Sequence, residues 1–182
     1  MSGWYEFVST RALEQGDLLR EIPVPQVVEV QWPLKEGAPV KVQVALRDLV
    51  VLTQSCDLET DKVDEVLVAV VLSYQQLWNM SGATNSFLKS SGWRKSLRQG
   101  EQPAYCLLQN LDGAAADHYA IADFHHLYSL PKKFLEEAAE QRPSRLRLIA
   151  PYREHLAQSF AKYMMRVGLP ITLHSFDDVK PA

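Results

Sequence analysis

Cysteine is scarce in this chain: two in 182 residues, Cys56 and Cys106. They lie far apart and form no C-x-x-C pair, which excludes a disulfide framework and the usual zinc-ribbon spacing. A reducing, cytoplasmic setting is expected. Long apolar runs are also missing. The longest, residues 49–52 and 66–72, fall far below the roughly 20 residues of a membrane-spanning helix, so no membrane partner is expected. The start, Met1-Ser2-Gly3-Trp4-Tyr5-Glu6, lacks a basic region followed by an apolar one, so no signal peptide is expected. There is no excess of positive charge: 19 Lys and Arg against 22 Asp and Glu give a net charge of −3. That excludes broad electrostatic coating of nucleic acid and leaves room only for a local basic patch. No internal repeat or low-complexity tract is present. With 47% hydrophobic and 23% charged residues, the chain has the composition of an ordinary globular domain with ample core material.

The densest information lies in Arg47-Asp48-Leu49-Val50-Val51-Leu52-Thr53-Gln54-Ser55-Cys56-Asp57-Leu58. Before it, Val40, Val42, Val44 and Leu46 alternate with Lys41, Gln43 and Ala45, the pattern of a half-buried strand. At Arg47-Asp48 the alternation breaks, and a bend or bulge is expected there. Residues 49–52 are continuously apolar, as in a strand covered on both faces, and a polar cluster follows.

Elsewhere, Gln15-Gly16-Asp17 is a turn signal, and Pro23 and Pro25 impose an extended, edge-like path. Residues 27–32, 66–72, 104–109 and 118–124 read as strands. Ser73 with Gln76 three positions on forms a capping box ahead of a short helix. Residues 81–100, poor in aliphatics, read as a loop with one helical turn near Trp93–Arg98. Pro131 opens a helix through about Glu140. In the last helix Tyr152, Leu156, Phe160, Tyr163, Met164 and Val167 share one face, and Gly168 and Pro170 end it. The sum is an α+β chain, mainly β with added helices. It divides into a β-barrel domain over residues 1–130, with an inserted helix and loop at 73–100, and a helical C-terminal extension over 131–182 packed on the barrel.

Three signals then coincide. Gly16-Asp17 precedes the first strand, Arg47-Asp48-Leu49-Val50-Val51-Leu52-Thr53 resembles an Arg-Pro-x-x-Val-x-Ser/Thr strand, and residues 66–72 run apolar to a Ser. Over residues 14–75 this order resembles the MazF/PemK family of bacterial toxins. The resemblance implies a small SH3-like barrel, a dimer, and metal-independent cleavage of single-stranded RNA in a toxin or phage-defence role, with no cofactor. It assigns Arg47 the cationic role at phosphate and Ser73 or Thr53 the hydroxyl. Ser73 comes one position late, which in a strand reverses the facing, and Asp48 stands where the family has Pro.

Other chemistries start from the residues themselves. Arg47 suits a crowded phosphate through its planar, permanently charged fork, and equally a carboxylate at a barrel rim. Cys56 is a candidate nucleophile with His125 or His126 as base and Asp57 as orienter. It is also readily a small buried hydrophobe. Metal ligands are available in Cys56, Cys106, His118, His125 and His126, but zinc-site pairs are missing. Adjacent histidines on a strand face opposite ways, so His125 and His126 are not expected to share an ion, and no metal is expected. Trp93 with Arg94, Lys95 and Arg98 would suit single-stranded RNA through stacking and phosphate contacts, or would be a solvated loop. A non-catalytic module binding a protein partner or a second copy through the barrel rim or C-terminal helix is the competing function.

Overall fold

The computed structural model describes residues 3–30, 32–33, 35–80, 86–109 and 119–165. Seven strands form one antiparallel sheet: β1 (Tyr5–Val8), β2 (Asp17–Val30), β3 (Val40–Val51), β4 (Glu65–Ser73), β5 (Tyr105–Leu108), β6 (Ala120–Pro131) and β7 (Arg145–Leu148). Their order is β1-β7-β2-β3-β4-β6-β5. The helices are α1 (Ser55–Glu59), α2 (Tyr74–Met80), α3 (Ser91–Arg98), α4 (Lys132–Glu140) and α5 (Tyr152–Met164). None of them is long and apolar enough to cross a membrane.

The continuously apolar strands behave as their composition demands. Leu49, Val51, Val66, Val68, Val70 and Leu72 pack on one side of the sheet with Leu77, Trp93, Leu97 and Leu135 from α2, α3 and α4. Val50, Leu52, Ala69 and Val71 point the other way, onto a second core closed by Leu156, Phe160 and Tyr163 of α5. A strand with helices on both faces has no solvent side, so alternation disappears. The stripe expected on the last helix is therefore the lid of this second core. Its Met164 is exposed, and Val167, Gly168 and Pro170 lie outside the described residues, as do Asp112-Gly113 and His118.

Three expectations need correction. The sheet is α+β as expected, but it does not close into a barrel by strand pairing among the described residues. Between its edges, β1 and β5, Gln109 just past β5 makes a side-chain bridge: its side chain accepts from Trp4 N at 2.9 Å and its carbonyl accepts from the Tyr5 hydroxyl at 2.7 Å. Second, residues 131–182 are not a purely helical extension, because β7 sits inside the sheet between β1 and β2. Four residues reading Arg-Leu-Arg-Leu lack the apolar run that marks a strand. Third, the alternating face of Val40, Val42, Val44 and Leu46 is real but exposed, since this half of β3 pairs only with β2. The irregularity expected at Arg47-Asp48 falls on the facing strand. β2 bulges between Leu19 and Ile22, Glu21 has φ 50°, and its N–H donates to Asp48 Oδ1 at 2.8 Å. The basic stretch read as a loop is α3, started by the Ser90 hydroxyl, which accepts from Trp93 N at 3.0 Å.

The position of β7 depends on Gly16 and Asp17. Gly16 has φ +87°, and a Cβ there would lie 3.0 Å from Leu148 Cβ, so only glycine fits. Its N–H donates to Val51 O at 2.9 Å and its carbonyl accepts from Leu148 N at 3.1 Å. Asp17 is fully buried with Arg145 and Arg147 around it. Its Oδ2 accepts from Arg145 Nε at 2.8 Å and Arg147 Nη2 at 3.0 Å, and its Oδ1 from Arg147 Nε. The two guanidinium groups also bind the carbonyls of Thr10 and Ala12, and Arg147 pairs with Glu14. Burial alone would lower the Arg147 pKa, but the hydrogen bond and charge of Asp17 hold it above its ordinary value.

Asp17→Ala leaves two buried cations without their carboxylate. The expected loss is about 3–5 kcal/mol of unfolding free energy, measured by urea titration. A loss below about 1 kcal/mol, the scale of an exposed ion pair, would show that β7 is held by packing alone.

Candidate functional site

β6 carries the one place where ionisable side chains with catalytic chemistry converge among the described residues. Along the β4–β6 ladder Ala69 faces Leu127 while the next residue, Val70, faces Asp123. One step on β4 thus spans four on β6, and residues 124–126 bulge out. Phe124 turns into the α5 core against Phe160 and Tyr163, with ring centroids 5.4 and 5.7 Å away. His125 and His126 are freed from strand alternation and bend back to one carboxylate. Asp123 Oδ1 lies 3.0 Å from His125 Nδ1, and Oδ2 lies 2.8 Å from His126 Nδ1. The His125 N–H also donates to Asp123 Oδ1 at 3.0 Å.

Burial divides the roles. The Asp123 side chain is 4% exposed, whereas the two imidazoles are 49% and 52% exposed. The carboxylate is therefore part of the fold, and the rings reach solvent. With each Nδ1 donating to the carboxylate, each Nε2 is without a partner among the described residues and is the ring's remaining acid–base position. Two imidazoles in one place provide a base and an acid together. Tyr105, the cross-strand neighbour of Asp123 on β5, has its ring centroid 5.3 Å from that of His125. Burial, and then the charge of Asp123, raise the pKa of its phenol, so it stays a hydrogen-bond donor. Asp123 spends both oxygens on ring nitrogens, and among the described residues no cluster of three or more His, Cys, Asp and Glu is arranged to hold a metal.

The expectation that adjacent histidines face opposite ways fails because the bulge suspends the period of two. A signal was present in the sequence. An Asp inside an otherwise apolar strand, followed at two and three positions by His, is a buried charge with partners at hand.

The other candidates scatter. Arg47 is half-buried on β3, with β4 between its strand and that of Asp123. The carboxylate of its neighbour Asp48 accepts from Glu21 N instead of pairing with it. Thr53, past the end of β3, uses its hydroxyl to accept from Leu67 N at 2.8 Å. Ser73 completes the capping box: its hydroxyl accepts from Gln76 N at 3.0 Å, and its N–H donates to Gln76 Oε1 at 2.7 Å. One step beyond the Asp48–Val71 pair, Arg47 comes beside Leu72 and so next to Ser73. But Arg47 alternates in phase with Leu49 and Val51, and Ser73 with Ala69 and Val71, which line opposite sides of the sheet, and Thr53 lies past the far end of β3. Trp93 is buried between Tyr74 and Tyr105, so it cannot stack on a base. Arg94, Lys95 and Arg98 are exposed on the outer face of α3.

The thiol site is also separated. Cys56 is exposed at the start of α1, 3.7 Å from Gln54 Oε1 and 3.9 Å from Asp57 Oδ1, with no histidine among its partners. Cys106 belongs to the α5 core, on the other side of the sheet from Leu58 of α1. Burial pushes the Cys106 thiol up to about 11, and a hydrogen bond with Ser159 offsets only part of that.

Two outcomes are expected from the cysteines. A soluble alkylating reagent modifies Cys56 in the native protein and reaches Cys106 only on unfolding. Between pH 9 and pH 11 the unfolded chain releases the Cys106 proton and the native protein keeps it, so stability falls as pH rises. A two-unit gap corresponds to at most about 2–3 kcal/mol, and Cys106→Ala removes that part of the decline in a urea-midpoint series. An unchanged series would place the loss elsewhere, for instance at Tyr5, whose phenol burial also pushes up.

Compared with known proteins, the chain has no match among family models, curated sequences or solved structures.

Proposed function

We propose that this protein is a metal-independent RNA-cleaving enzyme whose acid–base pair is His125 and His126. The observation that carries the proposal is the buried Asp123 carboxylate holding two half-exposed imidazoles side by side. The MazF/PemK resemblance implies the same reaction class at a different place, on β3. In this proposal one Nε2 takes the proton of an RNA 2′-hydroxyl, and that oxygen attacks the adjacent phosphorus. The bond from phosphorus to the 5′-oxygen breaks, and the other imidazolium gives its proton to that oxygen. The products are a 2′,3′-cyclic phosphate and a 5′-hydroxyl. Asp123 is a positioning residue that fixes both rings, and the Tyr105 phenol donates to a phosphate oxygen.

The surroundings favour a phosphate-bearing substrate despite the net charge of −3. α3 packs beside the site through Trp93 on Tyr105, and its outer face carries Arg94, Lys95 and Arg98. Cations placed there attract a phosphate backbone without reading its sequence. A toxin or phage-defence setting belongs to the same proposal and predicts growth arrest on expression.

The test is cleavage of a labelled single-stranded RNA. The wild type is expected to produce cyclic-phosphate ends and to fail on an RNA lacking the 2′-hydroxyl at the cut. His125→Ala and His126→Ala should each lower the rate about 10²–10⁴-fold, with the fold checked by circular dichroism. Arg94→Glu with Arg98→Glu should raise KM and flatten the salt dependence with little change in kcat. Arg47→Ala should leave the rate unchanged. Loss in Arg47→Ala with full activity in both histidine variants would return the chemistry to β3, and intact RNA with the wild type would end the proposal.

A further inference from the structure

The outer halves of β2 and β3 form a two-stranded arm. β2 pairs with β7 only through Leu18, and β3 pairs with β4 only from Asp48 on. Beyond those points the register sets Pro23 opposite Leu46, Pro25 opposite Val44, Val27 opposite Val42 and Val30 opposite Val40. Residues directly opposite in an antiparallel pair share a face, so all eight apolar side chains lie on one side of the arm. All eight are exposed, Leu46 at 64%. The reverse side is different in kind. Ile22 and Val24 are buried in the core there, Gln26 donates to the Tyr128 hydroxyl at 2.8 Å, and Glu29 pairs with Lys41 at 4.0 Å. The arm is thus anchored by one face and leaves the other, which carries no charge, in water.

We infer that this face is the contact between two copies of the chain. The first reason is area. The stripe exposes on the order of 600–700 Å², close to the roughly 800 Å² each partner contributes to a stable interface, and Trp32, beyond the end of β2, is a further exposed aromatic at 86%. Monomer surfaces carry apolar patches of only about 300–600 Å². The second is symmetry. A two-fold contact needs a patch complementary to itself, and a ribbon face of Val, Pro and Leu side chains without charge packs face to face on its own copy as two sheets do. The third is the edge. Pro23 and Pro25 have no N–H, and in a strand still paired to β3 the missing donors are those of the free edge of β2. Strand addition along β2 is thereby blocked, and the face is left as the docking surface.

The test is sedimentation equilibrium of the full chain. Wild type is expected to be a dimer at micromolar concentration. Val42→Glu with Val44→Glu brings like charges together across the two-fold axis and should raise the dissociation constant at least about 100-fold. Gln43→Glu, on the reverse face, should leave the dimer intact. Because the substituted positions are exposed, unchanged circular dichroism and melting temperature are expected in each variant. A wild type that stays monomeric at about 100 μM, above the micromolar range of even weak specific pairs, would overturn the inference and leave the face to another occupant. A dimer that survives the double substitution would overturn it too, by placing the contact elsewhere.

Discussion

The sheet depends on one buried carboxylate. Asp17 opens β2 and is enclosed by the guanidinium groups of β7. Through them it ties residues 10–14 and β7 to the rest of the sheet. Strand pairing alone gives β7 little, since it is four residues long. Buried ion networks of this kind seldom add much net stability over an apolar replacement, and their better-attested effect is to specify register. Here the register matters. Arg147 faces Glu6 on one side and Asp17 on the other, and a slip by one residue would put Leu146 or Leu148 against the carboxylate. The lid helix follows β7 after only three residues, so the closure of the second core follows from the same contact.

A sheet covered on both faces leaves few places for polar chemistry. In β4 every interior position points into one core or the other, and a charged group there would lose its solvation with nothing in return. Polar groups are confined to strand ends, bulges and edges, and the chain uses each. Asp48 caps the bulge at Arg20-Glu21. Asp123 sits where β6 bulges by three residues and where β5 begins. The bulge releases His125 and His126 from alternation, and the carboxylate then gathers both, because a buried charge must find donors.

This also determines what was legible in the sequence. Strands with many apolar residues, β3 and β4, declared themselves by composition, as did the capping box at Ser73 and Gln76 and the apolar stripe of α5. β7 did not, because its arginines read as surface charge until their partner, about 130 residues away in sequence, is known. The alternation in residues 40–46 was a true signal given the wrong consequence. Period two reports that one face is apolar and says nothing of what covers it. His125 and His126 are visible as a candidate base or ligands, but their convergence is hidden by the alternation of a regular strand, which does not hold at the bulge. Arg47, Ser73 and Thr53 were drawn together by a likeness in order along the chain, and order does not fix distance when each residue already serves a local hydrogen bond or a different strand.

The polar cluster after residue 52 takes its place under the same constraint. Where the apolar run of β3 ends, its last groups need partners. Gln15 Nε2 donates to Leu52 O at 2.8 Å, the Ser55 hydroxyl accepts from Gln15 N at 3.1 Å, and the Thr53 hydroxyl accepts from Leu67 N at 2.8 Å. Thr53, Gln15 and Ser55 therefore seal the end of a doubly covered strand against the Gly16-Asp17 turn. Cys56 and Asp57 form the exposed first turn of α1 beyond that seal, and the Cys56 carbonyl accepts from the Thr60 hydroxyl at 2.6 Å. A stretch so rich in nucleophile-bearing side chains looks catalytic when read alone. In the folded chain the Thr53 and Ser55 hydroxyls are committed to backbone partners, while the imidazoles on the β6 bulge each keep a nitrogen without a partner among the described residues. The distinction that separates a candidate site from a well-made strand end is which polar atoms remain uncommitted once the backbone has been satisfied.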